Sequence, residues 1–531
     1  MKSKRLPLGA DSNLFAAANL GRRGFVRAAA ALSLLPMLPR AASGAVLKNI
    51  TFRDYPFSLG VASGDPVPDG VVLWTRLAPD PLHGGGMPPD NVEVRYEVAT
   101  DPMMKKVVAR GTEIASSDFA HSVHVEVSGL EPNRPYWYRF KAGDEVSPIG
   151  RTKTAPALDS NPECLKFAFA SCQHYESGFF NAYYHMADDD LDLVVHLGDY
   201  IYEGAGKGGA IRKHSSLEID SLDDYRNRHA QYKTDPDMQA AHAAFPWLVT
   251  WDDHEFDNNY ANEISEQTHV EPAAFLLRRA NAYQAYYEHM PLRRSSIPNG
   301  PFMQIYRGCS WGQLADFSVL DTRQYRSDQP CGDRDTEPCE GSFADSQTML
   351  GQEQEKWLND RLKSSPSTWN ILAQQVMMAR VDRRPGPEVA YSMDQWPGYE
   401  VPRRRLMQYL HDSKVSNPIV LTGDIHCNWA NELKIDYDDP KSPTVANEFV
   451  GTSLSSGGDG DDGKDRRESQ MSENPFVKYY NAERGYVRCE LTQKQWQTDY
   501  KIVPYVTRKG SPLVTRASFV VEEGTPGLHE A

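Results

Sequence analysis

The sequence has no apolar run approaching the ~20 residues that cross a bilayer, so no ordinary membrane-spanning helix is expected. It lacks an excess of base: 57 Lys and Arg face 72 Asp and Glu, for a formal net charge of −15. So acidic a chain does not favour a nucleic-acid backbone, and no nucleic-acid partner is expected. Cysteine is scarce and odd in number, seven in 531 residues, so at least one stays unpaired within the chain. Cys331 and Cys339 share a polar loop and could close a local disulfide in an oxidising compartment. Cys164, Cys172, Cys309, Cys427 and Cys489 remain, and most lone cysteines are inert buried hydrophobes. Core-forming material is not lacking. A chain that is 40% hydrophobic and 24% charged can bury a sizeable core, and 531 residues suggest two domains or one large elaborated one.

Residues 1–45 differ from the rest. Lys2, Lys4, Arg5, Arg22, Arg23, Arg27 and Arg40 stand against one acid, Asp11. The paired arginines of Gly21-Arg22-Arg23-Gly24-Phe25 precede an apolar stretch from Ala28 to Leu38, and Ser43-Gly44-Ala45 offers small residues for cleavage. This layout reads as an export signal of the twin-arginine type, which implies the twin-arginine export machinery as a partner and a periplasmic or secreted mature protein. The other reading is a short amphipathic helix. Removal of residues 1–45 moves the net charge from −15 to about −21, since seven bases and one acid leave together. Such a surface helps supply oxygen ligands to hard cations.

Residues 46–156 read as an all-β domain. Val71–Thr75, Val92–Val98 and Ser122–Val127 alternate apolar with polar residues, and a Leu130-Glu131-Pro132 turn precedes the Tyr136–Phe140 strand. The set suggests a small sandwich similar to fibronectin III or immunoglobulin-like domains, with no titratable cluster of its own. From residue 157 to 531 short apolar strands alternate with helical stretches, which predicts an α/β domain. Strands are expected at Leu165–Ala170, Leu191–Leu197, Trp247–Thr250, Leu314–Leu320, Trp369–Ala373 and Pro418–Thr422. Helices are expected at Gly178–Asp188, Leu222–Ala244, Ala273–His289 and Gly351–Lys363. Gly457–Gly463 lacks the ligand spacing of a calcium loop and reads as a mobile acidic loop.

The informative feature is where the polar residues fall. Four buried strands end in ligand-type side chains: Ser171-Cys172-Gln173, Gly198-Asp199-Tyr200-Ile201-Tyr202-Glu203, Asp252-Asp253-His254-Glu255 and Gly423-Asp424-Ile425-His426. Sites in α/β folds form where strand carboxyl ends converge. A carboxylate at a buried strand end is costly unless paired or metal-bound. Each piece alone is a weak signal; their conjunction points to a metal site.

These stretches, together with Ser63-Gly64-Asp65-Pro66, Val72-Leu73-Trp74-Thr75-Arg76 and Asp321-Thr322-Arg323-Gln324-Tyr325-Arg326, span nearly the whole mature chain. As a set they resemble the PhoD-like alkaline phosphatases of the calcineurin-like metallophosphoesterase superfamily. The resemblance implies a two-sheet sandwich flanked by helices, preceded by the β-sandwich domain. It implies a ferric ion with calcium ions. Residue by residue it implies Asp199 as a bridging carboxylate, Cys172 and Tyr202 as iron ligands, Asp253 as a ligand and His254 as the catalytic histidine. Asp424 and His426 match the final ligand pair, with their division between the metals open. Thiolate, phenolate and carboxylate suit a trivalent iron, whereas calcium takes oxygen. Arg323 could steady the phosphate or serve as a structural ion-pair residue. The implied activity is hydrolysis of phosphomonoesters, phosphodiesters or both, with His254 as general acid. A phospholipase D-like diesterase on the same scaffold and a non-catalytic surface-binding protein are the competing readings. The intact ligand set speaks against the last.

Overall fold

The computed structural model describes residues 46–205 and 209–531. The expected export signal, residues 1–45, lies outside the described residues. The strand at Leu165–Ala170 explains the layering. Its period of two sends Leu165, Phe167 and Phe169 into one apolar cluster and Ala168 and Ala170 into another. A strand buried on both faces sits inside a covered sheet. Leu193 and Val195 against Val194, Ile371 against Leu372, and Ile419 against Val420 divide in the same way.

Two ladders result. In the first, Leu165–Ala170, Leu193–His196, Pro246–Val249 and Val61–Val67 run parallel. In the second, Ala315–Val319, Trp369–Ala373, Pro418–Thr422 and Thr444–Val450 run parallel. It is bordered antiparallel by Arg307–Trp311 and Asn428–Lys434. The strand Val477–Leu491 joins the ladders: Tyr479–Asn481 pairs with Asn428–Ala430, and Val487–Leu491 pairs with Leu165–Phe169. One cluster takes Phe167, Val195 and Leu248 from the first ladder and Phe317, Ile371 and Leu421 from the second. The opposite faces are covered by the helices Leu222–Lys233, Pro236–Ala244 and Pro272–His289 on one side. On the other lie Gly351–Ser364 and Glu400–Asp412. The chain is thus a mixed α/β fold with large sheets.

Within residues 46–156, Asn91–Ala99, Val107–Ala115, Pro135–Ala142 and Gly150–Lys153 pair in one sheet. Val61–Val67, Gly70–Arg76 and Ser122–Val127 pair in another, with Val71, Leu73, Val92, Val94 and Tyr138 packed in a common cluster. The second sheet continues into the first ladder, where Ser63 and Gly64 lie beside Pro246 and Trp247. All described residues belong to one compact unit.

Two expectations are corrected. The single helix expected over Leu222–Ala244 is two, Leu222–Lys233 and Pro236–Ala244. Asp235 caps the second helix, accepting from the amides of Asp237 (3.0 Å) and Met238 (3.2 Å). Pro236, which has no amide hydrogen, then starts it. The segment Gly457–Gly463, expected as a mobile loop, is fastened. Asp459 accepts from the amides of Val506 (2.7 Å) and Thr507 (2.9 Å), and Gly460 and Asp461 pair with Glu483 and Ala482. The helix Glu400–Asp412 and the strands Gln495–Val503 and Val514–Glu522 are further elements that the alternation of strand and helix did not single out.

Candidate metal centre

Register brings the motif ends together. Ala170 pairs with His196, and His196 with Val249, so three parallel strands end level. Ala373 and Leu421 end level in the second ladder. At three of the four motifs the backbone turns through an unfavourable conformation. Cys172 (φ 60°), Asp199 (φ 57°), Asp424 (φ 66°) and His426 (φ 55°) are all left-handed. Non-glycine residues rarely adopt this geometry, and it clusters at sites where the surroundings enforce it. Gly198 (φ 109°) has no alternative residue, since a Cβ there would lie 2.4 Å from the Asp252 amide nitrogen.

The turns are held by buried side chains. The Glu255 carboxylate accepts from the amides of Tyr200 (2.6 Å), Asp252 (2.9 Å) and Asp199 (3.0 Å), locking the second motif to the third. Asp253 accepts from the amides of His254 (2.9 Å) and Asn259 (2.8 Å). The His426 carbonyl accepts from Arg484 (2.7 Å).

Among the described residues, three groups of ligand atoms lie within 4.8 Å of one another: Cys172, Asp199 and His426; Asp199, Asp253 and His254; and Asp252, Asp253 and Asp424. Asp199 and Asp253 are each shared, so the groups form one chain of donors. The Tyr202 hydroxyl donates to Asp199 Oδ2 (2.8 Å), lies 3.2 Å from His426 Nε2, and receives the Ser456 hydroxyl (2.8 Å). The structure therefore brings Cys172, Asp199, Tyr202, Asp253, His254, Asp424 and His426 to one place. Cys172 is buried and free, while Cys331 and Cys339 are disulfide-bonded.

The electrostatics fit cations. Burial, then Asp199, raises the Cys172 thiol well above its usual range, and burial does the same to the Tyr202 phenol and the Asp199 carboxyl. Burial pushes His426 down to about 3, leaving a neutral imidazole with a free lone pair. Asp199 Oδ1 is buried without any hydrogen-bond partner. Asp252 Oδ2, in the same chain of donors, is likewise buried without a partner, and a metal ion is one of the partners that would satisfy both. Cation binding would release the thiol and phenol protons.

His254 faces the opposite field. Burial opposes its charge, but Glu203, then Asp199 and Asp253, outweigh burial and hold the imidazolium well above its ordinary range. Glu203 Oε2 lies 2.7 Å from His254 Nδ1 and thereby directs the other ring nitrogen away from the carboxylate. His254 opens onto a pocket of about 590 Å³ that is also lined by His174, Tyr202, Glu203, His426 and Ser456.

Arg323 is placed beneath this centre, not in the pocket. It is completely buried and meets Asp252, Asp394 (2.9 Å), Asp424 (3.3 Å) and Asp253 (3.6 Å). Of the two roles considered for it, this geometry is that of the ion-pair residue. The roles of Glu203, Glu255, Asp394 and Ser456 were not apparent from sequence. Glu203 and Glu255 follow Tyr202 and His254 directly, so the signal available was an extra carboxylate beside each motif. Asp394 and Ser456 had none.

A family model described as "PhoD-like phosphatase" matches residues 167–500, and one described as "PhoD-like phosphatase, N-terminal domain" matches residues 41–156. The chain is 54% identical over 485 residues to a protein of Bacillus subtilis (strain 168) named "Alkaline phosphatase D", covering 90% of this chain and 83% of that one. A solved structure described as "Structure of PhoD" aligns with a TM-score of 0.88 at 53% identity, covering 91% of this chain and 93% of the other. With well over half of its length matched by the PhoD-like phosphatase model and the ends of four strands converging on one donor set, the chain belongs to the PhoD-like phosphatase family.

Proposed function

We propose that the chain is a metal-dependent hydrolase of phosphoric esters, mono-, di- or both, that works outside the cytoplasm after twin-arginine export. The observation that carries the metal reading is the interlocked donor chain with the orphaned Asp199 Oδ1 at its middle. The donor chemistry supports ferric iron at Cys172, Asp199, Tyr202 and one of Asp424 and His426. Calcium is supported where Asp199, Asp253 and Asp424 supply oxygen. The two ladders are read as the metallophosphoesterase sandwich and residues 46–156 as the preceding β-sandwich domain.

When bound, the ions supply Lewis acidity toward the phosphoryl oxygens and a lowered pKa of water. The chain supplies the rest. His254, kept protonated by Glu203, donates its proton to the departing alkoxide oxygen. Asp253 is braced by two amides, which holds it level with Asp199. Arg323 offsets the charge of four carboxylates from below and leaves the pocket clear for the ester. Elemental analysis of the purified protein, combined with turnover of nitrophenyl phosphate mono- and diesters, tests this. Iron near one per chain with calcium, and turnover lost on chelation, is expected. A fully active enzyme containing only zinc or magnesium overturns the metal assignment.

A further inference from the structure

Two stretches, or arms, form part of the wall of the pocket: Glu203, Gly204 and Ala205 line it on one, and Gly209, Ala210 and Ile211 on the other. Two glycines and two alanines cannot hold a wall through their own side chains, so its position must come from where its main chain is tied.

Arg212, next to Ile211, anchors one stretch through Asp235 (2.6 Å) and the Tyr175 carbonyl (3.0 Å), and a second side chain is tied to the chain on both sides of the lining residues. Arg228, on the helix Leu222–Lys233, is completely buried. Its Nη1 donates to the carbonyls of Tyr202 and Gly204 (3.2 Å), and its Nη2 donates to the Leu217 carbonyl (2.8 Å), the Ser216 carbonyl (3.3 Å) and the Ser216 hydroxyl (3.1 Å). All these partners are neutral oxygens. A buried guanidinium without a carboxylate is an inefficient stabiliser. Its planar fork is well suited to holding several oxygens in one fixed arrangement. Here the oxygens come from two stretches on opposite sides of the pocket-lining residues.

The same helix face adds to the fastening. Gln231 and Tyr232, three and four residues further on, lie over the same side as Arg228. Gln231 donates to the Lys213 carbonyl (2.8 Å) and accepts from the Ser215 amide (3.0 Å). The Tyr232 hydroxyl lies 3.1 Å from His214 Nε2 and accepts from the Tyr175 amide (3.1 Å). Glu176 receives the His214 amide on its carboxylate (2.8 Å) and the Ile211 amide on its carbonyl (2.9 Å).

We propose that Arg228 is a positioning residue for substrate binding: it fastens both arms of the pocket wall so that the organic part of the ester is held against it. It touches no reacting atom. The phosphoryl group, bound on the His254 side, should sense its loss only through the Tyr202 carbonyl that Arg228 also holds. This rests on the phosphoesterase reading only through the assay.

The test compares Arg228→Met and the milder Gln231→Leu with the wild type. In Arg228→Met, which also frees the carbonyl of the proposed metal ligand Tyr202, KM for a nitrophenyl phosphate ester should rise about 10-fold, with a smaller fall in kcat. In Gln231→Leu the rise should be about 3-fold with kcat nearly unchanged, in keeping with one or two lost neutral hydrogen bonds. Inhibition by inorganic phosphate should stay within about 2-fold of wild type in Gln231→Leu, which leaves the Tyr202 carbonyl tied. Amide exchange at 211–217 should quicken by about 10-fold or more, while the Leu165–Ala170 and Pro418–Thr422 strands keep their protection. Restoration of a low KM in Arg228→Ala by added guanidinium ion would support a fastening role. Unchanged KM and unchanged exchange overturn the proposal, as does a parallel loss of kcat and phosphate binding in Gln231→Leu. If Arg228→Met does not fold, Gln231→Leu decides by the same two readouts. If the wild type hydrolyses no phosphoric ester, the phosphoesterase reading fails, and the exchange measurement still decides whether Arg228 fastens the wall.

Discussion

Around Arg323, four carboxylates converge on a guanidinium that solvent does not reach. Around Tyr202, the thiol of Cys172, the carboxylate of Asp199 and the imidazole of His426 gather, and among the described residues no arginine or lysine is hydrogen-bonded to any of these side chains. The two regions share one edge of the fold and handle buried charge differently. The carboxylate region carries its own counter-charge. There Asp253 is held well below its usual range, with Arg323 and His254 outweighing burial. In the thiol and phenol region burial dominates, so the groups stay protonated until a cation arrives. Burial still lifts Asp252 well above the usual carboxylate range and Asp424 to about 6, so the first region is partly pre-organised without metal, while the second depends on one more fully for its working charge state.

The largest effect expected is at the junction of the two regions. His254→Ala should lower turnover by about 10²–10⁴-fold on an ester with a poor leaving group, with metal content unchanged. Steady-state kinetics with elemental analysis checks this, and loss of metal alongside activity would make His254 a ligand in place of a proton donor.

The contrast itself is sharpest in metal-free protein. Arg323→Met leaves Asp252, Asp253 and Asp424 without a paired arginine and Asp394 with Arg326 alone, and should cost about 3–5 kcal/mol by denaturant unfolding of the chelated protein. Added calcium should recover part of that cost. Tyr202→Phe, by comparison, should cost only about 1 kcal/mol under the same conditions, since it removes neutral hydrogen bonds and keeps the ring. Equal costs at the two positions would break the comparison.

With metal present the order changes. Tyr202→Phe should bleach or strongly shift a visible band that a phenolate–ferric pair gives to the wild type, and the variant should hold iron less tightly. Absorption spectra and iron titration test it; a wild type without colour removes Tyr202 from the ligand set.

The smallest change expected is in a pH profile. His254 has its folded-state pKa raised above the ordinary 6.5, with Glu203 the leading cause of the rise against burial. Function that needs the imidazolium is complete at lower pH and is lost as pH rises through that raised value. Glu203→Gln removes the partner, so the alkaline limb of the rate profile should move to lower pH. A limb that stays in place would separate Glu203 from proton donation.

The short strands were legible because each is an apolar run cut off by polar residues. Leu165–Ala170, Trp369–Ala373 and Pro418–Thr422 form over the residues that the pattern marks. The long strand Val477–Leu491 was not, since it is buried over most of its length yet carries Lys478, Asn481, Glu483, Arg484 and Arg488. Some of its polar residues find distant partners only in the assembled fold, such as Asn428 for Asn481 and Asp189 for Arg488. The break at Asp235-Pro236 was written in the sequence as a cap followed by proline, and the apolar periodicity on either side hid it.

The sequence by itself determined which residues carry chemistry and that they follow buried strands, because ligand-type side chains stand out against apolar runs of five or six residues. Only the tertiary structure decided that parallel strands end level, that Cys172, Asp199, Asp424 and His426 turn through left-handed backbone, and that Arg323 lies under the centre. It also decided that Glu203 reaches His254 across 51 positions and that Arg228 holds the pocket wall. Strand patterning is a local consequence of which side chains leave water. Register, counter-charge and hydrogen-bond partners are relations between distant segments, and these are set only when the sheets pack.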